Sequence, residues 1–182
     1  MSKDIVKLSK FLSFILRHKP ESIGITLDEE GWAKVDEIIE KSASSGQSLS
    51  RELIAHVVKT NNKKRFLLSE DQRRIRANQG HSIDVNLKLE AKIPPDTLYH
   101  GTAEKYLDSI LNSGIEKRNK QHFHLSGDSA SASSVDQRHG RAIVLEILSS
   151  EKVIDGYSFY LSENGVWLTD FVAVRFIKKP DL

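Results

Sequence analysis

Arg65-Phe66-Leu67-Leu68-Ser69-Glu70-Asp71-Gln72-Arg73-Arg74-Ile75-Arg76-Ala77 reads as a β-hairpin. Residues 65–68 and 74–77 are the strands, and Ser69 to Gln72 is the polar turn between them. The hairpin is basic: from Lys59 to Arg76 there are seven Lys and Arg and only two acids, Glu70 and Asp71. Cations on a hairpin can track a phosphate backbone, and an ordinary solvated surface has the same composition.

Upstream of it, Ile5, Leu8, Phe11, Leu12, Ile15 and Leu16 recur at helical spacing. They predict a helix from Asp4 to His18, stopped by Pro20. Ile23 to Leu27 predicts an extended link, and Asp28-Glu29-Glu30-Gly31 a turn before Trp32. Val35, Ile38 and Ile39 predict a second helix that runs into the serine-rich loop 42–48. Ser50 is placed to cap a third, carrying Leu53, Ile54, Val57 and Val58, which Asn61-Asn62-Lys63-Lys64 breaks. Three helices followed by a basic hairpin is the order of a winged-helix module.

Downstream, Lys88 to Asp96 predicts a boundary, because Pro94-Pro95 cannot continue a helix. The expected domains are therefore 1–92 and 93–182. The second begins with a strand, Leu98 to His100, entering a turn at Gly101-Thr102. Tyr106, Leu107, Ile110 and Leu111 predict a helix, with Gly114 suited to its C-terminal cap, and 128–139 a second helix. Strands are expected at 122–126, 142–148, 157–161, 165–168 and 172–177. Short strands with two helices make this an α+β chain.

The totals bound the function. The 182 residues contain no cysteine, which excludes disulfides, cysteine–zinc sites and thiol catalysis. No apolar run approaches the roughly 18 residues of a membrane-spanning helix. Met1-Ser2-Lys3-Asp4 is charged and lacks an apolar core, so a secretory signal is not expected and a cytoplasmic location is. Residues 1–92 hold 17 Lys and Arg against 13 Asp and Glu, a net of +4, whereas 93–182 hold 10 against 12, a net of −2. A polyanion would meet the first half.

Four groups of residues bear on chemistry. Leu16-Arg17-His18-Lys19-Pro20 ends a helix on three potential cations, which suits the helix dipole and equally half of an anion site. His100-Gly101-Thr102 lets a ligand approach the main chain beside an imidazole and a hydroxyl; a turn histidine accounts for it as well. In His122-Phe123-His124-Leu125-Ser126, period two puts His122, His124 and Ser126 on one face. No clear carboxylate or cysteine completes a zinc site there, so no metal is expected. Asn164-Gly165 is a turn signal ahead of Trp167, which fits a core position. Phosphate-binding glycine loops, nucleophile elbows and HExxH are all absent, which leaves histidines, cations and hydroxyls: groups that hold anions.

Six motifs occur in one order: Leu16-Arg17-His18, Lys64-Arg65-Phe66, Gln79-Gly80-His81-Ser82, His100-Gly101-Thr102, His124-Leu125-Ser126 and Asn164-Gly165-Val166-Trp167-Leu168. In this the chain resembles the RNA 2′-phosphotransferase (KptA) family from about Leu8 to Ile177. The resemblance implies a winged-helix RNA-binding lobe followed by an ADP-ribosyltransferase-like, NAD-binding lobe. It implies removal of an internal 2′-phosphate from RNA, typically one left by tRNA splicing, with NAD⁺ consumed as co-substrate. The RNA phosphate attacks the nicotinamide-bearing ribose carbon, nicotinamide leaves, and a ribose hydroxyl then attacks that phosphate. The products are 2′-OH RNA and ADP-ribose cyclic phosphate. The attacking group is already an anion, so the first step needs positioning and no general base.

Carried over residue by residue, the resemblance makes Arg17, His18 and Arg65 catalytic, with His18 moving a proton in the second step. The family's fourth cation, an arginine, falls on Lys120, with Arg118 two residues before it as the alternative. His100, Gly101, Thr102, His124, Leu125, Ser126 and Asn164 would bind NAD⁺, and Arg76, Gln79, His81 and Ser82 the RNA. A monomer would suffice. Two other functions compete: an ADP-ribosyltransferase that caps nucleic-acid ends or proteins, and a non-catalytic winged-helix regulator. The third helix carries only Arg51, His56 and Lys59, which is thin for reading a DNA groove.

Overall fold

Leu8, Leu12, Ile15 and Leu16 are buried along one face of the first helix, α1 (Lys3–Arg17), and they organise the first of two units, Met1–Lys88 and Leu89–Leu182. The computed structural model describes residues 3–117, 121–133 and 141–179. Pro20 opens a 3₁₀ turn, Pro20–Ser22, where α1 has stopped. A two-residue strand β1 (Ala33–Lys34) leads into α2 (Val35–Ser44), and α3 (Arg51–Thr60) follows. Ser50 caps α3 by accepting the Leu53 N–H at 3.2 Å.

The hairpin is β2 (Phe66–Leu68) and β3 (Arg74–Ala77), antiparallel, with Phe66 opposite Ala77 and Leu68 opposite Ile75. β1 pairs on the other side of β3, giving a sheet of order β1-β3-β2. Ala33, Phe66, Ile75 and Ala77 point inward onto the helices, so alternation turns Lys34, Arg74 and Arg76 outward. The strand β1 escaped the sequence reading because two residues carry no period.

In the second unit β4 (Thr97–Ala103) pairs antiparallel with β7 (Ala142–Leu148) over seven residue pairs, and β11 (Ile177–Lys178) lies on the far edge of β7. β6 (Phe123–Leu125), β8 (Tyr160–Leu161) and β9 (Trp167–Thr169) form a sheet of order β6-β9-β8. A third pair joins β5 (Ile115–Glu116) to β10 (Phe171–Val172). The core holds Leu98, Leu107, Ile115, Leu125, Leu145, Ile147, Phe159, Val172 and Phe176. The chain is thus α+β.

Several expectations in this unit are corrected. Gly101-Thr102 is not a turn: both lie inside β4, opposite Val144 and Ile143, and the pairing with β7 overrides the local glycine signal. The strand expected at 172–177 is broken by a 3₁₀ turn, Val174–Phe176, and the one expected at 157–161 shrinks to Tyr160–Leu161. Beside α4 (Leu107–Ser113) and α5 (Ser129–Ser133) there is a further helix, α6 (Ser149–Ile154). Six residues following a strand without a loop are too few to show helical periodicity. The rest of the helix expected over 128–139 falls on 134–139, outside the described residues. Among the described residues no helix is long and apolar enough to cross a membrane.

Candidate active site

A helix leaves its last carbonyls without intrahelical donors. The Arg17 carbonyl at the end of α1 accepts the Ser82 N–H at 2.9 Å, which straps the segment leaving β3 onto the helix end. Two side-chain contacts follow from that strap. Arg17 Nη2 donates to Gln79 Oε1 at 3.4 Å, and His18 Nδ1 lies 2.9 Å from Ser82 Oγ.

Arg65 reaches the same place from α3 and β2. Asn61, the C-cap of α3, accepts the Arg65 N–H through Oδ1 at 3.3 Å and donates from Nδ2 to Ser9 Oγ of α1 at 2.9 Å. Asn78 donates its N–H to the Arg65 carbonyl at 2.9 Å and its Nδ2 to the Lys64 carbonyl at 2.6 Å. Lys64 itself is held in the left-handed region, at φ 42°. Asn61 and Asn78 are thus positioning residues that sequence reasoning missed. Asn61 reads only as part of a helix break, and their burial is the one signal, visible after folding.

The electrostatics of this cluster suit an anion. Burial, then the nearby charge of Arg65, brings the Arg17 pKa from 12.5 down to about 10. Among the described residues, none of Arg17, Arg65 and Arg76 has a carboxylate partner. Arg51 pairs instead with Asp36, Arg74 with Asp28 and Lys88 with Glu30. Like charges gathered without a counter-ion repel, and a phosphate relieves the repulsion through charge-assisted hydrogen bonds. Arg17 Nε and Arg76 Nε are also buried without a hydrogen-bond partner among the described residues.

His81 requires a correction. Expected among the RNA contacts, it is 1% exposed, with its ring beside Gly31. Neither ring nitrogen has a hydrogen-bond partner among the described residues. Burial, then the charges of Arg17, His18 and Arg76, pushes its pKa from 6.5 down to about 4. It is a buried neutral group near those cations. Gln79 and Arg76 are half-buried, and Ser82 is exposed.

The second unit brings two of its expected motifs together. Tyr99 and Ser126 exchange backbone hydrogen bonds at 2.9 and 2.8 Å, which docks the end of β6 on β4 beside His100. The His100 and Phe123 rings are 4.5 Å apart. Thr102 is nearly buried, and Leu125 is a core side chain, so only its main chain can meet a ligand. Asn164 sits in the tight turn between β8 and β9 and accepts the Ser162 hydroxyl at 2.7 Å. Imidazole, hydroxyl and amide groups can each donate and accept hydrogen bonds. Lys120 and Arg118 lie outside the described residues. Among the described residues no group of three or more His, Cys, Asp or Glu is placed to hold a metal.

Cations gathered as they are around Arg17 suit a phosphate. A model of the RNA 2′-phosphotransferase, Tpt1/KptA family matches residues 3–171. The chain is 53% identical over 174 residues to a probable RNA 2′-phosphotransferase of Fusobacterium nucleatum, covering 95% of this chain and 97% of the relative. It is 51% identical over 180 residues to one of Pseudomonas fluorescens, covering 98% and 99%, and 49% identical over 179 residues to one of Flavobacterium johnsoniae, covering 98% of each. The chain belongs to the RNA 2′-phosphotransferase, Tpt1/KptA family.

Proposed function

We propose that this protein is an NAD⁺-dependent RNA 2′-phosphotransferase, active as a monomer in the cytoplasm. It would convert an RNA 2′-phosphate and NAD⁺ into 2′-OH RNA, nicotinamide and ADP-ribose cyclic phosphate. The observation that carries this is the convergence of Arg17, His18 and Arg65, with no carboxylate paired to either arginine among the described residues, at the positions to which the resemblance assigns the family's phosphate-holding residues. The first unit is then a winged-helix lobe that receives RNA, and the second an ADP-ribosyltransferase-like lobe.

Arg17 and Arg65 bind the 2′-phosphate and stabilise its charge as it is transferred. Their planar guanidinium groups can each grip two phosphate oxygens. His18, oriented by Ser82, moves the proton in the transfer to the ribose hydroxyl. Gln79 fixes Arg17. We assign Lys120 to the family's fourth cation. His100, Thr102, Ser126 and Asn164, with the main chain of Gly101, His124 and Leu125, would hold NAD⁺. When bound, NAD⁺ supplies a ribose carbon carrying a good neutral leaving group.

The test uses NAD⁺ and an oligoribonucleotide with one internal 2′-phosphate, both followed by mass spectrometry. Loss of the phosphate with formation of ADP-ribose cyclic phosphate is expected. Transfer of ADP-ribose to the RNA without phosphate removal would favour an end-capping activity, and no NAD⁺ consumption would refute the enzyme. Lys120→Ala should cost far more activity than Arg118→Ala; equal activity would move the fourth cation elsewhere.

A further inference from the structure

The outer face of the β1-β3-β2 sheet is a continuous surface. Register partners in an antiparallel pair point to the same side. Lys34 is opposite Arg74, and Leu67 is opposite Arg76, so these four side chains share the face turned away from the core. Arg65, two residues before Leu67, has the same parity and stands at the edge of that face. Trp32 completes it: its ring lies 4.7 Å from the Arg76 guanidinium and 5.3 Å from that of Arg74. The face therefore carries four cations, one indole and one leucine. Arg74 also pairs with Asp28 at 3.6 Å.

A duplex reader presents cations to phosphates and a helix or ribbon to a groove. A face that layers guanidinium groups on an indole between flanking lysine and arginine is built differently. Nucleobases stack on aromatic rings and on guanidinium planes alike, and the cations between them follow the backbone. Arg74 is 52% exposed, so the outer layer of the stack is open to a base.

We infer that this sheet face binds the single-stranded RNA flanking the reacting phosphate, stacking a base on the Arg74–Trp32–Arg76 array. This rests on the proposed function for its link to catalysis. The face runs from Arg65, which shares the anion cluster with Arg17, through Arg76 and Trp32 to Arg74 and Lys34. A strand whose phosphate sits on Arg17 and Arg65 would lay its neighbouring nucleotides along that line. Trp32, Arg74 and Lys34 are then determinants of preference for an unpaired strand over a free nucleotide.

The binding test needs no catalysis. In a Trp167→Phe background Trp32 is the sole tryptophan, since the chain has two. Titration with a single-stranded oligoribonucleotide lacking any 2′-phosphate should quench its emission. Trp32→Ala should weaken binding about ten-fold. Lys34→Glu and Arg74→Glu should weaken it similarly and flatten its salt dependence, as loss of phosphate contacts requires. These two exposed sites keep the test sound if Trp32→Ala folds poorly. In turnover, lengthening a 2′-phosphorylated dinucleotide to a decanucleotide should lower KM, and the same substitutions should erase that gain. Binding without a change in Trp32 emission, unaltered affinity in the charge variants, or equal affinity for duplex RNA or an acidic peptide would overturn the inference. If quenching and the variant effects hold while no NAD⁺ is consumed, the proposed function fails and the strand-binding face stands.

Discussion

Ser82 meets His18 across 64 residues of sequence, with its Oγ 2.9 Å from the imidazole Nδ1. The contact exists because the Ser82 N–H satisfies the otherwise orphaned Arg17 carbonyl at 2.9 Å. One backbone bond thus seals the helix end and sets the orientation of the one titratable ring on it. Pairing at Nδ1 also biases which nitrogen carries the proton.

Ser82→Ala should therefore lower turnover several-fold, the worth of one hydrogen bond of about 1 kcal/mol. The backbone strap is unchanged, so thermal stability should hardly move. Ser82→Thr should restore the rate. A loss of stability that matches the loss of rate would make Ser82 structural only.

Arg17→Lys and Arg65→Lys keep the charge and lose the fork that grips two oxygens. Each should cut kcat by about a hundred-fold, the scale for removing one donor from a charge-stabilising site. Arg51→Lys, at an exposed ion pair with Asp36, is the control and should cost almost nothing. Steady-state kinetics on the three variants decide the matter.

His81 makes stability depend on acidity. Its pKa is about 4 when folded and about 6.5 when unfolded, so below 6.5 the unfolded chain takes up the proton that the folded chain refuses. Stability is complete above pH 6.5 and is lost as the pH falls toward 4. At pH 5 the loss should be on the order of 2 kcal/mol. Urea melts at pH 7 and pH 5 should show this drop, and His81→Gln should remove most of it. Parallel melts for the two proteins would assign the acid sensitivity to other groups.

Gly114 caps α4 at φ 79° and ψ −166°, a region essentially closed to other residues. A Cβ there would sit 2.4 Å from the Val172 carbonyl oxygen and 3.1 Å from the Phe171 ring. Gly114→Ala should destabilise by about 2–4 kcal/mol, from backbone strain and overlap together. Gly165, at φ 77° with nothing within 4 Å, isolates the strain alone, and Gly165→Ala should cost about 1–2 kcal/mol. Calorimetry on the pair separates the two effects.

Helix α1 was legible because its signal is local and repeated. Six apolar residues at one spacing leave few alternatives, and Pro20 stops a helix in any context. The basic hairpin and the Ser50 cap were legible for the same reason, since turn and cap chemistry act over a few residues. β1, α6 and the broken strand at 172–177 were not, because elements this short take their form from neighbours.

The sequence by itself determined the three helices, the basic hairpin, the absence of thiol chemistry and the residues that ally this chain with its family. Each rests on residue type and short-range spacing, which folding does not alter. Only the tertiary structure decided that Gly101 and Thr102 lie within a strand, since that depends on β7, some forty residues away. It also buried His81 and brought in Asn61 and Asn78 to hold Arg65. Burial and long-range hydrogen bonds are properties of the folded neighbourhood. No local pattern encodes them, because the groups that create them are distant along the chain.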